Sequence, residues 1–300
     1  MSLNSPQVTP SLPAAITAAV RAALHEDIGS GDLTAALVPE AQQALATVIT
    51  REAAVLCGQA WVDAVFAELG GKVAIDWHCR DGDAITAGQK LCELRGPART
   101  ILTGERTALN FLQMLSAVAT STRRYVDAVA GTRATILDTR KTIPGLRLAQ
   151  KHAVRVGGGS NHRIGLYDGI LIKENHIIAA GGITPAVQQA RNQGATVLLE
   201  VEVETLAQTE EALRAGADRL LLDNFSTILM REAVTLRDRL ASDTGLEASG
   251  GIELQTIRSV AETGIDFISV GDLTKNIRAV DLSMRFNFSP PSATGEQPRT

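Results

Sequence analysis

Six short apolar runs between residues 134 and 272 each end directly at polar or charged residues, and this repeated pattern limits the possible folds more than any other feature. Short, almost continuous apolar runs are typical of strands that are buried on both faces of a parallel sheet. Because the carboxyl ends of such strands meet at one edge, the polar residues that follow them are predicted to face one another. The six junctions begin at Asp138, Lys173, Glu200, Asp223, Ser249 and Gly271.

Helical patterns separate these runs, and several of them end at glycine, as residues 206–215 do before Gly216. Alternating strands and helices predict a parallel sheet. About six units is fewer than the eight of a complete barrel. Residues 116–276 are therefore predicted to form an irregular, incomplete α/β barrel, with an open doubly wound sheet as the alternative. Glu200, Glu202 and Glu204 share one strand face, which the lumen and mouth of a barrel tolerate and a helix-covered face does not.

Residues 1–115 show no series of strand–helix units and are predicted to form a separate α+β domain. Helical patterns cover residues 12–27 and a long segment that starts at Pro97, a residue favoured in the first turn of a helix. The segments between them are typical of antiparallel strands joined by turns. Residues 277–290 are expected to rejoin this domain. The first ten residues and residues 289–300, rich in Pro, Ser and Thr, are expected to be loose tails.

The bulk composition excludes several classes of protein. The formal net charge is −4 at pH 7, whereas a general nucleic-acid binder normally carries a basic excess. No uncharged apolar stretch is long enough to span a bilayer, and the chain does not begin with a secretory signal pattern. Cys57, Cys79 and Cys92 have no metal-ligand spacing, which is typical of reduced thiols. These features predict a cytoplasmic protein that binds neither nucleic acid nor membrane.

Basic side chains lie at or near the predicted strand ends, where they would form a pocket for a polyanionic small molecule. Each one alone could be an ordinary surface or ion-paired charge. Together they indicate anion binding, because charge-assisted hydrogen bonds are roughly twice as strong as neutral ones. Arginine also binds planar carboxylates through two parallel hydrogen bonds. The cations are Arg140, Lys141, His162, Arg163 and Lys173, with Arg106 on the preceding long helix.

Glycine-rich turns follow the last two predicted strands and indicate a phosphate site. Ser249-Gly250-Gly251 follows the penultimate strand and Gly271 follows the last, where the loops of (β/α) barrels commonly bind phosphate. One Gly-Gly pair usually marks only a turn, but two such turns at neighbouring strand ends are a more specific signal. The chain has no Walker loop, no Gly-x-Ser-x-Gly elbow and no GxGxxG after a strand.

Two carboxylates end adjacent predicted strands and indicate a metal site. Glu202 and Asp223 lie beside the predicted cationic pocket and phosphate turns, with Glu200 one step deeper. This arrangement suits Mg²⁺ that is held partly by substrate oxygens. Either carboxylate could instead pair with a neighbouring lysine. No His/Cys arrangement typical of zinc is present, and His152 and His176 are assigned no catalytic role.

Several of these segments in combination resemble quinolinate phosphoribosyltransferase, over residues from about 15 to 286. The resemblance implies an N-terminal open-sandwich domain and an irregular α/β barrel, assembled as a homodimer or hexamer. It also implies phosphoribosyl transfer from phosphoribosyl pyrophosphate to quinolinate with decarboxylation, giving nicotinate mononucleotide, CO₂ and pyrophosphate in NAD biosynthesis. The matching segments are DTRKTIPGLR at 138–147, GGGSNHR at 157–163, LIKENH at 171–176, EVEV at 200–203 and LDNF at 222–225, with EDIGSGDLT at 26–34 and LTGERTALN at 102–110 upstream.

The resemblance further implies a role for each site residue. Lys141 would face the pyrophosphate of the donor, and Glu202 and Asp223 would face the ribose and Mg²⁺. Many family members have a small residue at the position of Asp272, so this carboxylate is expected to point away from the phosphate. The 5′-phosphate would lie against Ser249, Gly250, Gly251 and Gly271. The pyridine dicarboxylate would contact Arg140, His162, Arg163 and Lys173, with Arg106 contributed by a second subunit.

Two other functions remain open. A related transferase could use a monocarboxylate such as nicotinate without decarboxylation, but its pocket should need fewer cations than this sequence offers. A metabolite-binding module could keep the fold without turnover. A pure binder needs no leaving-group stabilisation, however, so the pair of Glu202 and Asp223 counts against it. A scaffolding role has little support, because no exposed repeat or coiled-coil pattern is present.

Overall fold

The computed structural model describes residues 11–194 and 196–288, which group into two compact units. Within these residues the barrel unit comprises 118–277, and the N-terminal unit comprises 11–117 together with 278–288. The loose tails predicted for residues 1–10 and 289–300 lie outside the described residues.

The strands and helices are numbered in chain order. The strands are β1 (Gln43–Thr50), β2 (Ala54–Val55), β3 (Ala74–Trp77), β4 (Ala84–Ile85), β5 (Lys90–Pro97), β6 (Thr135–Leu137), β7 (Ile170–Ile172), β8 (Leu199–Val203), β9 (Arg219–Asp223), β10 (Gly245–Ser249), β11 (Phe267–Ser269) and β12 (Leu282–Phe288). The helices are α1 (Leu12–Ile28), α2 (Gln59–Glu68), α3 (Ala98–Ala128), α4 (Arg147–Val156), α5 (Glu174–Ala180), α6 (Ile183–Asn192), α7 (Leu206–Ala215), α8 (Thr227–Leu240), α9 (Ile257–Ala261) and α10 (Asp272–Lys275), with a 3₁₀ turn at Ala35–Leu37.

The N-terminal unit is an α+β domain built on an antiparallel sheet in the order β12–β1–β5–β3. Side chains along β1 alternate between buried and partly exposed, as expected for a strand with one face on a core. Strand β12 lies at the edge of this sheet and pairs with β1 over its whole length. Helix α1 is capped at its N-terminus by Ser11, whose hydroxyl accepts a hydrogen bond from the Ala14 amide, and at its C-terminus by Gly29.

Helix α3 extends past the domain boundary predicted at residue 115, because it continues to Ala128. Val118, Thr122 and Tyr125 extend its buried face at helical spacing, and no glycine or proline interrupts this stretch. The boundary between the two units therefore falls inside a helix.

The barrel unit contains one sheet of six parallel strands in the order β6–β11–β10–β9–β8–β7. Strands β7 to β11 lie side by side in sequence order, and the last of them, β11, pairs with the first strand, β6. Strands β6 and β7 stay at opposite ends, so the barrel is open between its first two strands. The prediction of an incomplete α/β barrel is confirmed. Ser160 forms an isolated parallel bridge with Leu137 beside β6.

Successive side chains along the barrel strands point alternately to the hydrophobic core and to the inside of the barrel. On β8, Val201 and Val203 are fully buried on the face covered by helices α6 and α7, and the glutamates occupy the opposite face. On β9, Leu220 and Leu222 are fully buried while the intervening side chain of Leu221 faces a cavity. Of the three carboxylates predicted to lie on one face, Glu200 and Glu202 therefore lie on the side of the cavity, whereas Glu204 follows the end of β8 and is exposed.

Two further features of the described residues relate to the composition. Cys57, Cys79 and Cys92 are free thiols, and all three are buried. No helix within residues 11–194 and 196–288 combines the length and the apolar character needed to cross a membrane.

Candidate active site

A cavity of about 320 Å³ lies in the barrel unit at the carboxyl ends of its strands. This volume is within the range of small-molecule sites, about 300–1,000 Å³. A larger groove of about 580 Å³ between α7 and α8 contains no strand-end residue, so we assign no chemistry to it. Eight predicted site residues line the cavity, namely Arg140, Lys141, His162, Arg163, Lys173, Glu202, Asp223 and Ser249. Its wall is completed by Thr139, Leu171, Leu221, Glu247 and Ser269.

Lys173 and Glu202 lie at the same end of the barrel, because they occupy the carboxyl ends of the neighbouring strands β7 and β8. The Lys173 ammonium forms an ion pair with the Glu202 carboxylate. The Lys173 amide donates to His176 Nδ1 at 3.0 Å, which fixes the first turn of α5. A basic wall and an acidic wall therefore meet inside the cavity.

A buried ion pair anchors the loop that carries His162 and Arg163. Asp138, at the end of β6, is fully buried and pairs with the ammonium of Lys151 on α4. The Asp138 carboxylate also accepts from the His162 amide (2.9 Å) and from the Asn161 side chain (2.5 Å). Lys151 in turn donates to the His162 carbonyl (2.9 Å). Burial raises the pKa of Asp138 and lowers the pKa of Lys151, so these hydrogen bonds are needed to keep the pair charged.

The glycine run at residues 157–159 lets this loop pass close to helix α3. A Cβ atom on Gly157 would lie 2.5 Å from the Ala119 carbonyl oxygen, and one on Gly159 would lie 2.8 Å from Thr122 Cγ2. Only glycine fits such contacts without displacing its neighbours. The run is therefore a close-approach segment and not a nucleotide fingerprint.

Two arginines bring positive charge into the cavity. Arg140 Nε is buried without a hydrogen-bond partner among the described residues. Arg163 is partly buried, and its Nη1 donates to the Gly169 carbonyl at 3.1 Å. Burial, followed by the neighbouring charge of Arg140, lowers the pKa of Arg163. Two like charges held together, one with an unsatisfied buried donor, are typical of a site built for an anion.

The deepest part of the cavity adjoins four ionisable residues, which we call the floor cluster: His162, Glu200, Arg219 and Glu247. His162 Nε2 lies 2.8 Å from Glu200 Oε2 and 3.6 Å from Glu247 Oε2. Arg219 Nη1 lies 3.3 Å from Glu247 Oε2, and its guanidinium stacks 3.9 Å above the Phe267 ring. The sequence interpretation placed Glu200 deep but missed Glu247 and Arg219. Glu247 could have been recognised from the sequence, because it is a glutamate inside the otherwise apolar run 246–248.

Burial controls the charge of the floor cluster. His162 Nδ1 accepts from the Arg163 amide (2.8 Å), so the neutral ring carries its proton on Nε2, facing Glu200. Nε2 nevertheless forms no hydrogen bond with the described residues, so its contact with the Glu200 carboxylate is electrostatic. Burial lowers the pKa of His162 and raises that of Glu200. Burial, followed by the nearby charge of Glu200, raises the pKa of Glu247 to about 8.

Two groups of residues have suitable donors for a cation. Glu202 and Asp223 offer carboxylate oxygens to the cavity, and Mg²⁺ prefers such ligands when phosphate and water supply the rest. Their donor set therefore fits the predicted Mg²⁺. His162, Glu200 and Glu247 also have ligand atoms within 4.8 Å of one another. Arg219 already neutralises Glu247 there, which disfavours a second positive ion.

The predicted phosphate residues lie at the ends of β10 and β11. Ser249 lines the cavity, whereas Gly250, Gly251 and Gly271 are not among its wall residues. Gly250 has a φ of 104°, and a Cβ there would lie 2.1 Å from Asn224 Oδ1, so the turn requires glycine. A Cβ on Gly271 would lie 3.3 Å from Lys141 Cδ, which places this glycine directly beside the cavity wall. Phosphate contact by the three glycines stays a prediction.

Asp272 and Arg106, the two remaining residues considered for the site, are not among the residues that line the cavity. Asp272 Oδ1 lies 3.1 Å from Lys275 Nζ, so this carboxylate is neutralised within helix α10. Arg106 lies on α3 in the N-terminal unit, and its contribution from a second subunit stays a prediction.

Replacing Glu247 with glutamine is expected to make the free energy of unfolding less dependent on pH between about 4.5 and 8. In this range the folded wild type keeps the Glu247 proton, because its pKa is about 8, whereas the unfolded chain releases it near the ordinary value of 4.5. The folded state therefore binds more protons, and its stability falls as pH rises, by up to ~1.4 kcal/mol per pH unit. Denaturant unfolding at about pH 5 and pH 8 measures this slope. An identical slope in the variant would contradict a buried, protonated Glu247.

Comparison with known proteins agrees with this geometry. The chain matches the family model of the quinolinate phosphoribosyl transferase C-terminal domain over residues 118–285, and that of the N-terminal domain over residues 32–116. It is 42% identical over 268 residues to the probable nicotinate-nucleotide pyrophosphorylase (carboxylating) of Bacillus subtilis (strain 168), covering 89% of this chain and 92% of that protein. It is 42% identical over 272 residues to the nicotinate-nucleotide pyrophosphorylase (carboxylating) of Mycobacterium leprae (strain TN), covering 88% and 95% respectively.

A solved structure extends the match to three dimensions. The nicotinate-nucleotide pyrophosphorylase from Francisella tularensis superposes with a TM-score of 0.87 at 44% identity, covering 95% of this chain and 100% of that one. Family models for both domains, close relatives over most of their length and a shared fold all agree. The chain belongs to the quinolinate phosphoribosyltransferase family.

Proposed function

We propose that this chain transfers the phosphoribosyl group of phosphoribosyl pyrophosphate to quinolinate and releases CO₂ and pyrophosphate, forming nicotinate mononucleotide for NAD biosynthesis. The observation that carries the proposal is one cavity that combines four cationic side chains with the carboxylates of Glu202 and Asp223. The names of the relatives support the same reaction. The four cations are Arg140, Lys141, Arg163 and Lys173.

Recognition of quinolinate rests on the cations nearest the floor of the cavity. The unsatisfied Arg140 Nε and the guanidinium of Arg163 suit the two adjacent carboxylates of the acceptor. Both ring nitrogens of His162 face protein groups, so this residue contributes through its position and shape more than through charge. Arg106 of a second subunit would complete the carboxylate site, and the chain would then work as a homodimer or hexamer.

Lys173 and Glu202 would exchange partners when substrates bind. Their ion pair leaves Lys173 about half exposed, so a substrate carboxylate can reach its ammonium without unfolding the loop. Once Lys173 turns to the acceptor, the Glu202 carboxylate is free to face the ribose. The exchange keeps both groups charged throughout, which limits the free-energy cost of moving them.

The acids and Lys141 would act on the donor. Departure of pyrophosphate leaves positive charge on the ribose, which the carboxylates of Glu202 and Asp223 stabilise in a preorganised site. Lys141 would neutralise the leaving group. When bound, Mg²⁺ would add charge neutralisation at the pyrophosphate, held by Glu202 and Asp223. The pyridine nitrogen attacks the opposite face of the ribose, and the positive charge of the resulting pyridinium stabilises the electron pair that stays on C2 when the 2-carboxylate leaves as CO₂.

Incubation of the chain with phosphoribosyl pyrophosphate and carboxyl-labelled quinolinate is expected to release pyrophosphate and CO₂ in equal amounts. Nicotinate lacks one carboxylate, and one or two lost charge-assisted hydrogen bonds would lower its kcat/KM by a factor of roughly 10 to 100 or more. The Glu202→Gln variant serves as the control for contaminating activity. Equal use of nicotinate would favour the monocarboxylate transferase, and binding of both substrates without pyrophosphate release would favour a binding module.

A further inference from the structure

Glu247 is a buried carboxyl group that reaches the cavity and has no role in the reaction described so far. It lies in the middle of β10 with a fully buried side chain, yet it forms part of the cavity wall. Among the described residues no donor reaches its Oε1, and its carboxyl group shares a hydrogen bond with the buried carboxyl group of Glu200. A buried carboxyl group on the wall of a substrate cavity, with no donor from the protein on one oxygen, can interact with a bound ligand.

Every strand and loop that packs against Glu247 contributes to its electrostatic surroundings. Glu200 faces it from β8, Arg219 from β9, His162 from the loop after α4, and the Ser269 hydroxyl from β11. Burial raises the pKa of both glutamates, whereas the charges of Arg219 and Arg163 favour the charged form of Glu200. With Arg219 positive and His162 neutral, the cluster is electrically balanced when the two glutamates share one proton, which we place on Glu247. Its raised pKa, about 8, agrees with this balance.

The proposed reaction needs one proton at the place where CO₂ departs. When the bond between ring carbon C2 and the carboxylate breaks, its electron pair stays on C2, next to the positively charged ring nitrogen. Replacement of the carboxylate by hydrogen then requires a proton from a nearby acid. The arginines proposed to hold the two adjacent ring carboxylates share the cavity with Glu247, and Arg163 is the chain neighbour of His162, whose Nε2 lies 3.6 Å from Glu247 Oε2. Glu247 therefore belongs to the end of the cavity where C2 is expected.

We propose that Glu247 is the general acid that protonates C2 of the pyridine ring as CO₂ leaves, an inference that rests on the proposed function. The O–H bond of Glu247 breaks, a C–H bond forms at C2, and Glu247 becomes a carboxylate. Solvent returns the proton after the product has left. Arg219, which lies 3.3 Å from Glu247 Oε2, stabilises the carboxylate during this interval.

The Glu247→Gln variant tests the proposal, because glutamine keeps the size of the side chain and cannot donate a carboxyl proton. We expect kcat for CO₂ release to fall about 100-fold, the lower range of general-acid catalysis, with the KM for quinolinate within about threefold of wild type. In single-turnover experiments pyrophosphate should form at the wild-type rate and CO₂ should lag behind it. The rate of CO₂ release by the wild type should fall as pH rises through about 8, which gives a high-pH limb in its pH–rate profile. The variant should lack this high-pH limb.

Glu200→Gln is the matched control, because Glu200 is also buried in the floor cluster but is not part of the cavity wall. It should keep pyrophosphate and CO₂ release in step. Its high-pH limb should remain but move to lower pH, because the Glu200 charge that raises the Glu247 pKa is gone.

Three results would overturn the proposal. The Glu247→Gln variant could keep the high-pH limb, its pyrophosphate and CO₂ rates could fall together, or only its KM could change. If this variant does not fold, the wild type decides the matter, since the limb near pH 8 must then affect CO₂ release and spare pyrophosphate release. Failure of the wild type to make either product would reject the proposed function itself, which separates the two conclusions.

Discussion

Replacing Lys151 with methionine is expected to lower the free energy of unfolding by about 3–5 kcal/mol, a large share of the roughly 5–15 kcal/mol typical of a folded protein. The substitution removes the ammonium group that neutralises the fully buried Asp138. It also removes a hydrogen bond to the His162 carbonyl, so the loop that carries His162 and Arg163 loses one of its two anchors. Denaturant unfolding measures the change, and activity assays should show a loss wherever the loop moves.

The double variant Asp138→Asn/Lys151→Met is the informative comparison. Removing both charges leaves a neutral interior, so part of the lost stability should return, because an uncompensated buried charge costs more than the pair contributes. Lys90→Met is the surface control. The Lys90 side chain, which pairs with Glu93, is about half exposed, and loss of the pair should cost no more than about 1 kcal/mol. A change below about 1 kcal/mol for Lys151→Met would show that the buried pair does not hold the loop.

Replacing Arg163 with alanine is expected to lower kcat/KM for quinolinate by about 1,000-fold while the fold stays intact. The estimate corresponds to two charge-assisted hydrogen bonds of roughly 1.5–3 kcal/mol each. The loop should keep its position, because its anchors, Asp138 and Lys151, contact the backbone of His162 and not the Arg163 side chain. The KM for phosphoribosyl pyrophosphate should change little. Steady-state kinetics with each substrate varied in turn would separate the two effects.

Two further variants sharpen this prediction. Arg163→Lys keeps the charge but loses the planar fork, so it should recover only part of the activity. Arg191→Ala removes an arginine of the same unit whose ion pair with Asp218 lies on the exposed surface, and it should leave kcat/KM within about twofold of wild type. Arg163→Ala activity within threefold of wild type would remove this residue from the carboxylate site.

The barrel could be predicted from sequence because buried parallel strands are apolar on both faces and end in polar residues. All six apolar runs overlap strands of the observed sheet. Helix ends were less predictable where no strong cap is present. The helical pattern in the sequence runs over residues 255–263 and stops at Gly264, whereas α9 covers only Ile257–Ala261, because the Thr256 amide closes a turn onto the Glu253 carbonyl before the helix starts.

The residues that line the cavity were more predictable than the buried residues that hold them in place. Charged residues at strand ends stand out in the sequence, and eight of the predicted site residues line one cavity. The ion pair between Asp138 and Lys151 joins a strand end to the middle of a helix, so no local sequence pattern predicts it. Glu247 and Arg219 meet only because β9 and β10 are neighbours in register. Such contacts depend on the register between neighbouring strands and on side-chain length, which the sequence pattern did not provide.

The isolated bridge between Ser160 and Leu137 has a consequence for solubility. An unpaired strand edge can recruit strands from other molecules, and an open barrel leaves such an edge on its first strand. Here the loop covers it, with the Ser160 amide donating to the Ile136 carbonyl at 2.8 Å and the Asp138 amide donating to the Ser160 carbonyl at 3.2 Å. The same few residues thus protect the molecule from self-association and hold His162 and Arg163, the two side chains that we propose contact the substrate. Substitutions that displace this loop should therefore cause aggregation and loss of activity together.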